Sequence, residues 1–189
     1  MSTDTKTALL NSAERAARTH GFDGFSYADL AKDVGIRKAS IHHHFPSKAN
    51  LSVELMKRYC TGLEAVCAEI DANASTGGAR VMELIEQYRV ALNDGKTLCL
   101  CVSFSASRES LPPEVIQQIS LFRAMILDWL SFTFQTGAED GSISNVVDPA
   151  LEASAALAMF EGAQLAARAE EKPQLFDNAV QLLKRRITI

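Results

Sequence analysis

Three consecutive histidines, His42 to His44, are the densest group of potentially reactive side chains in the sequence. They lie inside the stretch KASIHHHFPSK, residues 38–48, and imidazole can bind a metal, move a proton or contact a phosphate. Neighbouring residues on a helix point about 100° apart, whereas chelating pairs are spaced i, i+4. No cysteine or carboxylate lies near in sequence to complete a metal shell. The triplet therefore favours a contact surface and no metal, with a spatially assembled metal site or ordinary helix packing as the alternatives.

The sequence lacks the residue patterns of the common catalytic sites. It has no G-x-S-x-G, no H-E-x-x-H and no phosphate-binding glycine loop, and His20 is the only histidine outside the triplet. Glu109 and Glu161 would have to meet in a pocket to act as a pair, and nothing marks them as catalytic. We expect a protein that is not an enzyme and uses no cofactor.

Charge is divided unevenly along the chain. Residues 1–58 hold nine Lys or Arg and six Asp or Glu, a net of +3, whereas the remainder holds 10 and 17, a net of −7. The overall charge of −4 argues only weakly against a nucleic-acid partner, because such an asymmetry is more informative than the total. The N-terminal part is therefore the candidate for binding an anionic partner.

Composition is typical of a globular protein of one or two domains, with 189 residues of which 47% are hydrophobic and 22% charged. No apolar run approaches the roughly 18 residues that span a bilayer. Charged residues occur throughout the N-terminus, where a signal peptide has an apolar stretch. The four cysteines are too few and too unevenly placed for a disulfide framework. We expect a cytoplasmic protein without membrane contact.

Hydrophobic periodicity predicts helices along nearly the whole chain and no sheet, so the predicted fold class is all-α. Ser26 with Asp29 resembles a capping box, Gly35 is a suitable helix end, and Ser47 caps the helix after Pro46. The predicted helices span 4–20, 27–35, 37–44, 48–74, 79–93, 97–109, 113–136, 148–170 and 173–187.

The second and third helices have the properties of a helix-turn-helix. Ala31 is small where the helices approach, Gly35 allows a tight turn, and Ile41 points back into the core. The third helix begins with Arg37 and Lys38, in the basic part of the chain. In a helix-turn-helix this second element lies in the major groove of DNA.

The continuation Ile41-His-His-His-Phe-Pro-Ser-Lys-Ala-Asn-Leu51 resembles the TetR (tetracycline-repressor-like) family of transcriptional regulators, and the motif resemblance covers about residues 8–58. His42 stands where the family usually has Tyr, which would make that contact pH-dependent. The resemblance implies a three-helix DNA-binding domain over residues 1–47 and a larger regulatory and dimerisation domain over 48–189, with helix 48–74 linking them.

The resemblance also implies which residues contact a palindromic double-stranded DNA operator. Arg37, Lys38, Ala39, Ser40, His42 and His43 would face DNA, while His44 packs under the turn. Lys48 and Tyr27 would contact phosphates. Arg37 and Lys38 suit guanine, and Ser40 is adaptable.

The larger half would bind a small effector and form a homodimer. The helix at 148–170 is rich in Ala and Gly, and the helix at 173–187 places Phe176, Val180, Leu183 and Ile187 on one stripe. We expect these two helices to form the dimer interface, the alternative being that they pack within one chain. An effector pocket for an apolar or electrophilic ligand is expected around five residues: Cys99, Phe104, Phe122, Met125 and Trp129.

Cys99 opens a predicted helix, where unpaired amides would stabilise a thiolate. Some TetR-type sensors of electrophiles or oxidants look similar here. The predicted function is therefore a ligand-responsive DNA-binding repressor, with a thiol-based sensor using Cys99 as the alternative. A less favoured alternative for the whole protein is a helical interaction module that does not bind DNA. For Cys99, the alternative to a reactive thiol is a small buried hydrophobic residue with a purely structural role.

Overall fold

The structure is a computed structural model that describes residues 5–188. Its α-helices are α1 Thr5–His20, α2 Tyr27–Val34, α3 Lys38–His44, α4 Lys48–Asn73, α5 Gly77–Val90, α6 Leu100–Ser105, α7 Pro113–Glu139, α8 Pro149–Glu170, α9 Gln174–Ala179 and α10 Gln181–Lys184. Between residues 5 and 188 there is no strand, only one isolated antiparallel bridge that joins Ile143 to Ile187. The all-α prediction is confirmed, and the predicted helix start at residue 4 lies outside the described residues.

The local signals around α2 act as the sequence predicts. The Ser26 hydroxyl accepts from the Asp29 amide (3.4 Å), and the Asp29 carboxylate accepts from the Ser26 amide (2.8 Å), which completes the capping box. Gly35 ends the helix with φ 75°, a left-handed conformation that costs glycine little. Both ends of α2 are therefore set by residues within or next to it.

The predicted helix at 97–109 is shorter in the structure. Residues Asn93, Asp94 and Gly95 all have positive φ, and Thr97 bonds back to the Ala91 carbonyl at 2.7 Å, so α6 begins only at Leu100. After Ser105 the chain tightens into turns and a 3-10 helix, Arg108–Ser110, before Pro112 and the start of α7 at Pro113. Both ends of α6 therefore lie at turns with local backbone and side-chain bonds. Hydrophobic periodicity does not predict such bonds.

The chain divides into two compact units, of which the first contains residues up to Thr61 together with Leu100–Phe122. Its core includes the fully buried Leu9, Leu51 and Leu55. α6 packs on α1, where the Ser103 hydroxyl donates to the Ala17 carbonyl at 2.6 Å. The expected domain boundary at residue 47 stays a prediction, and this unit extends beyond it.

The second unit contains Gly62–Cys99 and the chain from Arg123 onward. Gln164 of α8 is fully buried and uses both ends of its amide: its oxygen accepts from the Cys99 amide (3.0 Å), and its nitrogen donates to the Tyr88 carbonyl (2.9 Å). Asp71 of α4 accepts from the Trp129 indole (3.0 Å) and pairs with Arg80 (3.3 Å). These polar contacts join α4, α5, α7 and α8.

The C-terminal stripe was expected to face a second copy of the chain, and this expectation is wrong for most of it. Phe176, Val180 and Leu183 are buried within their own chain, and Phe160 of α8 contacts the Phe176 ring with centroids 6.5 Å apart. The predicted single helix is also split at Val180 into α9 and α10. These side chains lie inside the second unit, where α9 packs against α8.

None of the helices within residues 5–188 has both the length and the apolar character needed to cross a membrane.

Candidate nucleic-acid interface

α3 is held by two buried side chains and presents most of its remaining surface to solvent. Ile41 is fully buried, and Phe45, just after the helix, is 1% exposed. These two side chains fix the face of α3 that turns inward. The opposite face is consequently defined, and its members are all exposed: Arg37, Lys38, Ala39, Ser40, His42 and His43. We call these six residues the recognition face.

The polar side chains of the recognition face are largely uncommitted. Within residues 5–188, no side-chain hydrogen bond or ion pair engages Arg37, Lys38 or Ser40. Arg37 is the N-cap residue of α3, with an extended backbone and no capping bond from its side chain. Two cations and a hydroxyl are therefore available to a ligand without breaking an internal contact. His44 is half-buried, and its packing under the turn stays a prediction.

His42 is exposed but oriented. Its ring meets the Tyr27 ring edge-on, with centroids 5.0 Å apart, and its Nδ1 lies 3.3 Å from the Pro46 carbonyl oxygen. When Nδ1 donates to that carbonyl, Nε2 is left to interact outward. The described part of the chain brings no three His, Cys, Asp or Glu side chains together as metal ligands.

Tyr27 differs from the expected phosphate contact. It is buried, and its hydroxyl donates to the Phe45 carbonyl at 2.9 Å. Burial raises the pKa of Tyr27 to about 12, so the hydroxyl stays protonated and keeps donating. This bond ties the start of α2 to the end of α3, and Tyr27 thus holds the recognition face in place from behind.

Lys48 also differs from its expected role at the DNA backbone. Its ammonium group donates to the Phe25 carbonyl at 2.6 Å and lies over the rings of Phe22 and Phe25. Burial lowers the pKa of Lys48, although the carboxylates of Asp23 and Asp29 act in the opposite direction. The sequence signal for this arrangement is the pair of phenylalanines in the short α1–α2 loop. Hydrophobic periodicity assigns these two residues no role, because they lie outside the helices.

The five residues expected at an effector pocket are spread over both units. Phe104 and Phe122 belong to the first unit, where Phe104 packs on Phe22 and Phe122 on Tyr59, each with ring centroids 5.6 Å apart. Met125 and Trp129 in the second unit are half-buried, and the Trp129 indole donates to Asp71. The pocket stays a prediction.

Cys99 directly precedes α6, as expected, and is only 3% exposed. Its amide donates to Gln164. Cys101 and Cys67 are also buried, and Cys60 is half-buried. Burial raises the pKa of the Cys67 thiol to about 12, which keeps it protonated and unreactive.

α8 has an exposed apolar face that the sequence did not separate from its buried one. Ala153, Ala156, Ala163 and Ala167 are buried in the chain. The opposite face is exposed and contains Leu151, Ala155, Ala158, Gly162 and Leu165, spaced 4, 3, 4 and 3 residues apart. That regular spacing is the signal by which the face could have been found.

The fold and the recognition face define a helix-turn-helix DNA-binding protein with a larger helical part. A sequence profile described as "Bacterial regulatory proteins, tetR family" matches residues 9–55. A TetR-family transcriptional regulator from Agrobacterium tumefaciens is 30% identical, with a TM-score of 0.92 and coverage of 98% of both chains. The chain belongs to the TetR family of bacterial regulatory proteins.

Two further relatives extend over nearly the whole chain. A TetR transcriptional regulator from Legionella pneumophila shares 25% identity over all of both chains, with a TM-score of 0.90. The HTH-type transcriptional repressor NemR of Escherichia coli K12 is 24% identical over 186 residues, which are 96% of this chain and 92% of NemR. The similarity therefore includes the second unit as well as the helix-turn-helix.

Proposed function

We propose that the protein is a dimeric, ligand-responsive repressor that binds an operator through the recognition face. The observation that carries this proposal is the exposure of Arg37 and Lys38 on a helix whose other side is anchored by Ile41. A short helix that is cationic outside and apolar inside can enter the major groove without unfolding its support. Members of this family are regulators, and no catalytic role is assigned to any residue.

The recognition face divides into two kinds of contact. Arg37 and Lys38 can donate to the O6 and N7 acceptors of guanine, and Ser40 can adapt to either strand's base edges. His42 and His43 are the candidates for phosphate contacts, which fix register without reading sequence. Tyr27 and Lys48 lie behind this face, and we assign them support of α3.

A homodimer would use the exposed face of α8. Leu151 and Leu165 are 68% and 47% exposed, and the small residues between them allow a second helix to approach closely. Leu182 of α10 is 72% exposed and extends the apolar surface. Two-fold pairing through α8 and α10 would place two recognition faces on a palindromic site, because half-site spacing mirrors the symmetry of the protein.

Repression follows from occupancy of the operator, and release requires an effector that binds two dimer arrangements with different affinity. An effector site in the larger unit would shift the spacing of the two recognition faces. Cys99 is buried and its amide is bonded, so the structure gives the thiol-sensor alternative no advantage over an ordinary effector.

Selection of duplexes from a random-sequence library by the purified protein tests DNA binding. We expect an enriched palindrome, and enrichment of no sequence above the starting library would overturn the proposal.

Gly162→Trp tests the dimer. A Cβ atom added at Gly162 would have no neighbour within 4 Å outside its own stretch of helix, and Gly162 is exposed, so we expect the monomer fold to tolerate the side chain and a partner helix to clash with it. Light scattering should give a dimer for the wild type and a monomer for G162W, with operator affinity reduced at least about a hundredfold. Gly62→Trp is the matched control, because Gly62 is an exposed helical glycine with equally open surroundings. An unchanged mass for G162W would place the dimer interface elsewhere.

A further inference from the structure

Lys48 is the first residue of α4, and its ammonium group is enclosed by the α1–α2 loop. The Nζ atom donates to the Phe25 carbonyl at 2.6 Å and lies 4.6 Å and 4.3 Å from the ring centroids of Phe22 and Phe25. A cation that faces two aromatic rings and bonds a carbonyl is held from three directions. We call Phe22, Phe25 and this contact with Lys48 the lysine cage.

The lysine cage is attached to α6. Phe22 and Phe25 are 7% and 4% exposed, so both rings are buried. The Phe22 ring packs edge-on against Phe104 of α6, with centroids 5.6 Å apart and planes at 87°. The Ser103 hydroxyl of α6 donates to the Ala17 carbonyl of α1, near the start of the same loop. A displacement of α6 would therefore shift Phe22 and the α1–α2 loop, and with them the lysine cage.

On its other side the lysine cage is attached to the recognition helix. Only Phe45, Pro46 and Ser47 separate α3 from Lys48. The Phe45 carbonyl is in turn held by the Tyr27 hydroxyl at 2.9 Å. The corner between α3 and α4 is thus fixed at two points, by Tyr27 to α2 and by Lys48 to the α1–α2 loop.

The alternative role of Lys48, a direct contact with a DNA phosphate, requires its ammonium group to leave this environment. It would lose a charge-assisted hydrogen bond and two ring contacts before gaining a phosphate. Lys38 of the recognition face is exposed, and among residues 5–188 it makes no side-chain hydrogen bond or ring contact that it would have to lose. A phosphate contact would therefore require Lys48, but not Lys38, to give up interactions within the protein.

We infer that Lys48 is a positioning residue, which keeps its place in the lysine cage on DNA and sets the orientation of α3 relative to α6. This inference rests on the proposed function, since the orientation matters only if the recognition face binds DNA. Through the lysine cage, α6 is connected to α3 by way of the α1–α2 loop. This connection is distinct from the one that the long helix α4 provides.

The first test compares Lys48→Met with Lys38→Met on the duplex enriched from the random-sequence library, as affinity against salt concentration. Methionine keeps an apolar side chain over the rings and removes the charge. A cation on the recognition face lies near DNA phosphates even when it bonds a base, so Lys38→Met should lower the slope of log affinity against log salt by up to about 0.9 per subunit. Lys48→Met should reduce affinity about tenfold and leave the slope unchanged. A slope lowered equally in both variants would overturn the inference.

The second test uses the wild-type protein and does not depend on how the variant folds. The ring faces of Phe22 and Phe25 should shift the Lys48 Hε resonances upfield of those of exposed lysines in NMR spectra of protein with 13C-labelled lysine. We expect that upfield position to persist when the enriched duplex is added. Movement of the Lys48 signal to the region of exposed lysines on DNA addition would show that Lys48 leaves the cage, and the inference would be wrong.

The two tests also separate this inference from the proposed function. If the wild type binds the enriched duplex but Lys48 leaves the cage, only the positioning role fails. If the wild type and Lys38→Met bind no duplex while the free protein still shows the upfield Lys48 signal, the proposed function fails and takes the positioning role with it.

Discussion

The recognition face and the surroundings of Arg186 use arginine in opposite ways. Arg186 donates to both oxygens of Glu152 (2.9 and 2.6 Å) and to the carbonyls of Ser144 and Asn145 (3.0 Å each). Hydrogen bonding to Glu152 also raises the pKa of Arg186. Arg37, by contrast, is exposed, and the described part of the chain contains no side-chain partner for it.

The difference separates a structural cation from one that is available to a ligand. The guanidinium group of Arg186 joins the end of the chain to the α7–α8 loop and to α8, and the Ser144 amide donates back to the Arg186 carbonyl at 2.8 Å. Five N–H groups in a fixed plane suit this use, and they suit a guanine edge or a phosphate equally well. What an arginine does here follows from whether its donors are already occupied within the protein.

The largest effect should come from Arg37→Gln. Loss of a cation that reads a base should weaken operator binding by roughly 1–3 kcal/mol per half-site, while the free energy of unfolding changes by less than about 0.5 kcal/mol. Fluorescence anisotropy on the enriched duplex and urea unfolding measure the two quantities. Arg15→Gln is the control, because Arg15 is an exposed arginine of the same unit that pairs with Asp33 (2.6 Å) outside the recognition face. Equal losses of affinity in both variants would show that Arg37 contributes only its positive charge and does not read a base.

Arg186→Gln should have the reverse pattern. Removing an arginine that is 28% exposed and bonded to Glu152 should lower the free energy of unfolding by about 2 kcal/mol, since the carboxylate loses its partner. DNA affinity of the folded protein should be unchanged. Arg185→Gln is the matched control, because Arg185 is the exposed neighbour in sequence. Urea unfolding at a fixed protein concentration makes the comparison, and equal stability of the two variants would show that the Arg186 bonds add nothing net.

The smallest effect concerns Asp29, an exposed carboxylate whose bonds are all local. The hydrogen bond from the Ser26 hydroxyl, followed by that from the Ser26 amide, lowers the pKa of Asp29. A lowered folded-state pKa means that the contribution to stability is present above the unfolded-state pKa and is lost as pH falls through the folded-state pKa.

Asp29→Asn should therefore be less stable than the wild type at pH 7, and the difference should shrink in acid. Thermal unfolding of the two proteins between pH 7 and pH 3 measures this. A difference that stays constant over that range would mean that the charge of Asp29 does not matter and that Ser26 caps α2 alone.

The sequence predicts the helix-turn-helix well because its signals are local. Ser26, Asp29 and Gly35 act on amides and dihedral angles within a few residues of themselves, and Ile41 sets the inner face of α3 through helical spacing alone. The same reasoning was less successful in the second unit. The stripe of Phe176, Val180 and Leu183 is apolar in either environment, and periodicity does not tell a buried face from a face that binds a second copy.

Lys48 and Tyr27 illustrate the same difference between local and long-range information. Family resemblance suggested phosphate contacts for both, at the start of α2 for Tyr27 and in the first turn of α4 for Lys48. Their polar atoms are instead bonded to the carbonyls of Phe25 and Phe45, 23 and 18 residues away along the chain. Hydrophobic periodicity and capping motifs act over a few residues, so they cannot predict hydrogen bonds between residues so far apart in the sequence.

The order of amino acids sufficed to specify helices, their caps and the cationic outer side of α3, because these depend on contacts within one or two helical turns. Three-dimensional packing determined which polar groups remain available to a partner. Arg37 is open, whereas Arg186, Lys48 and Tyr27 are occupied, and this distinction arises only when distant segments compete with solvent and ligand for the same donors.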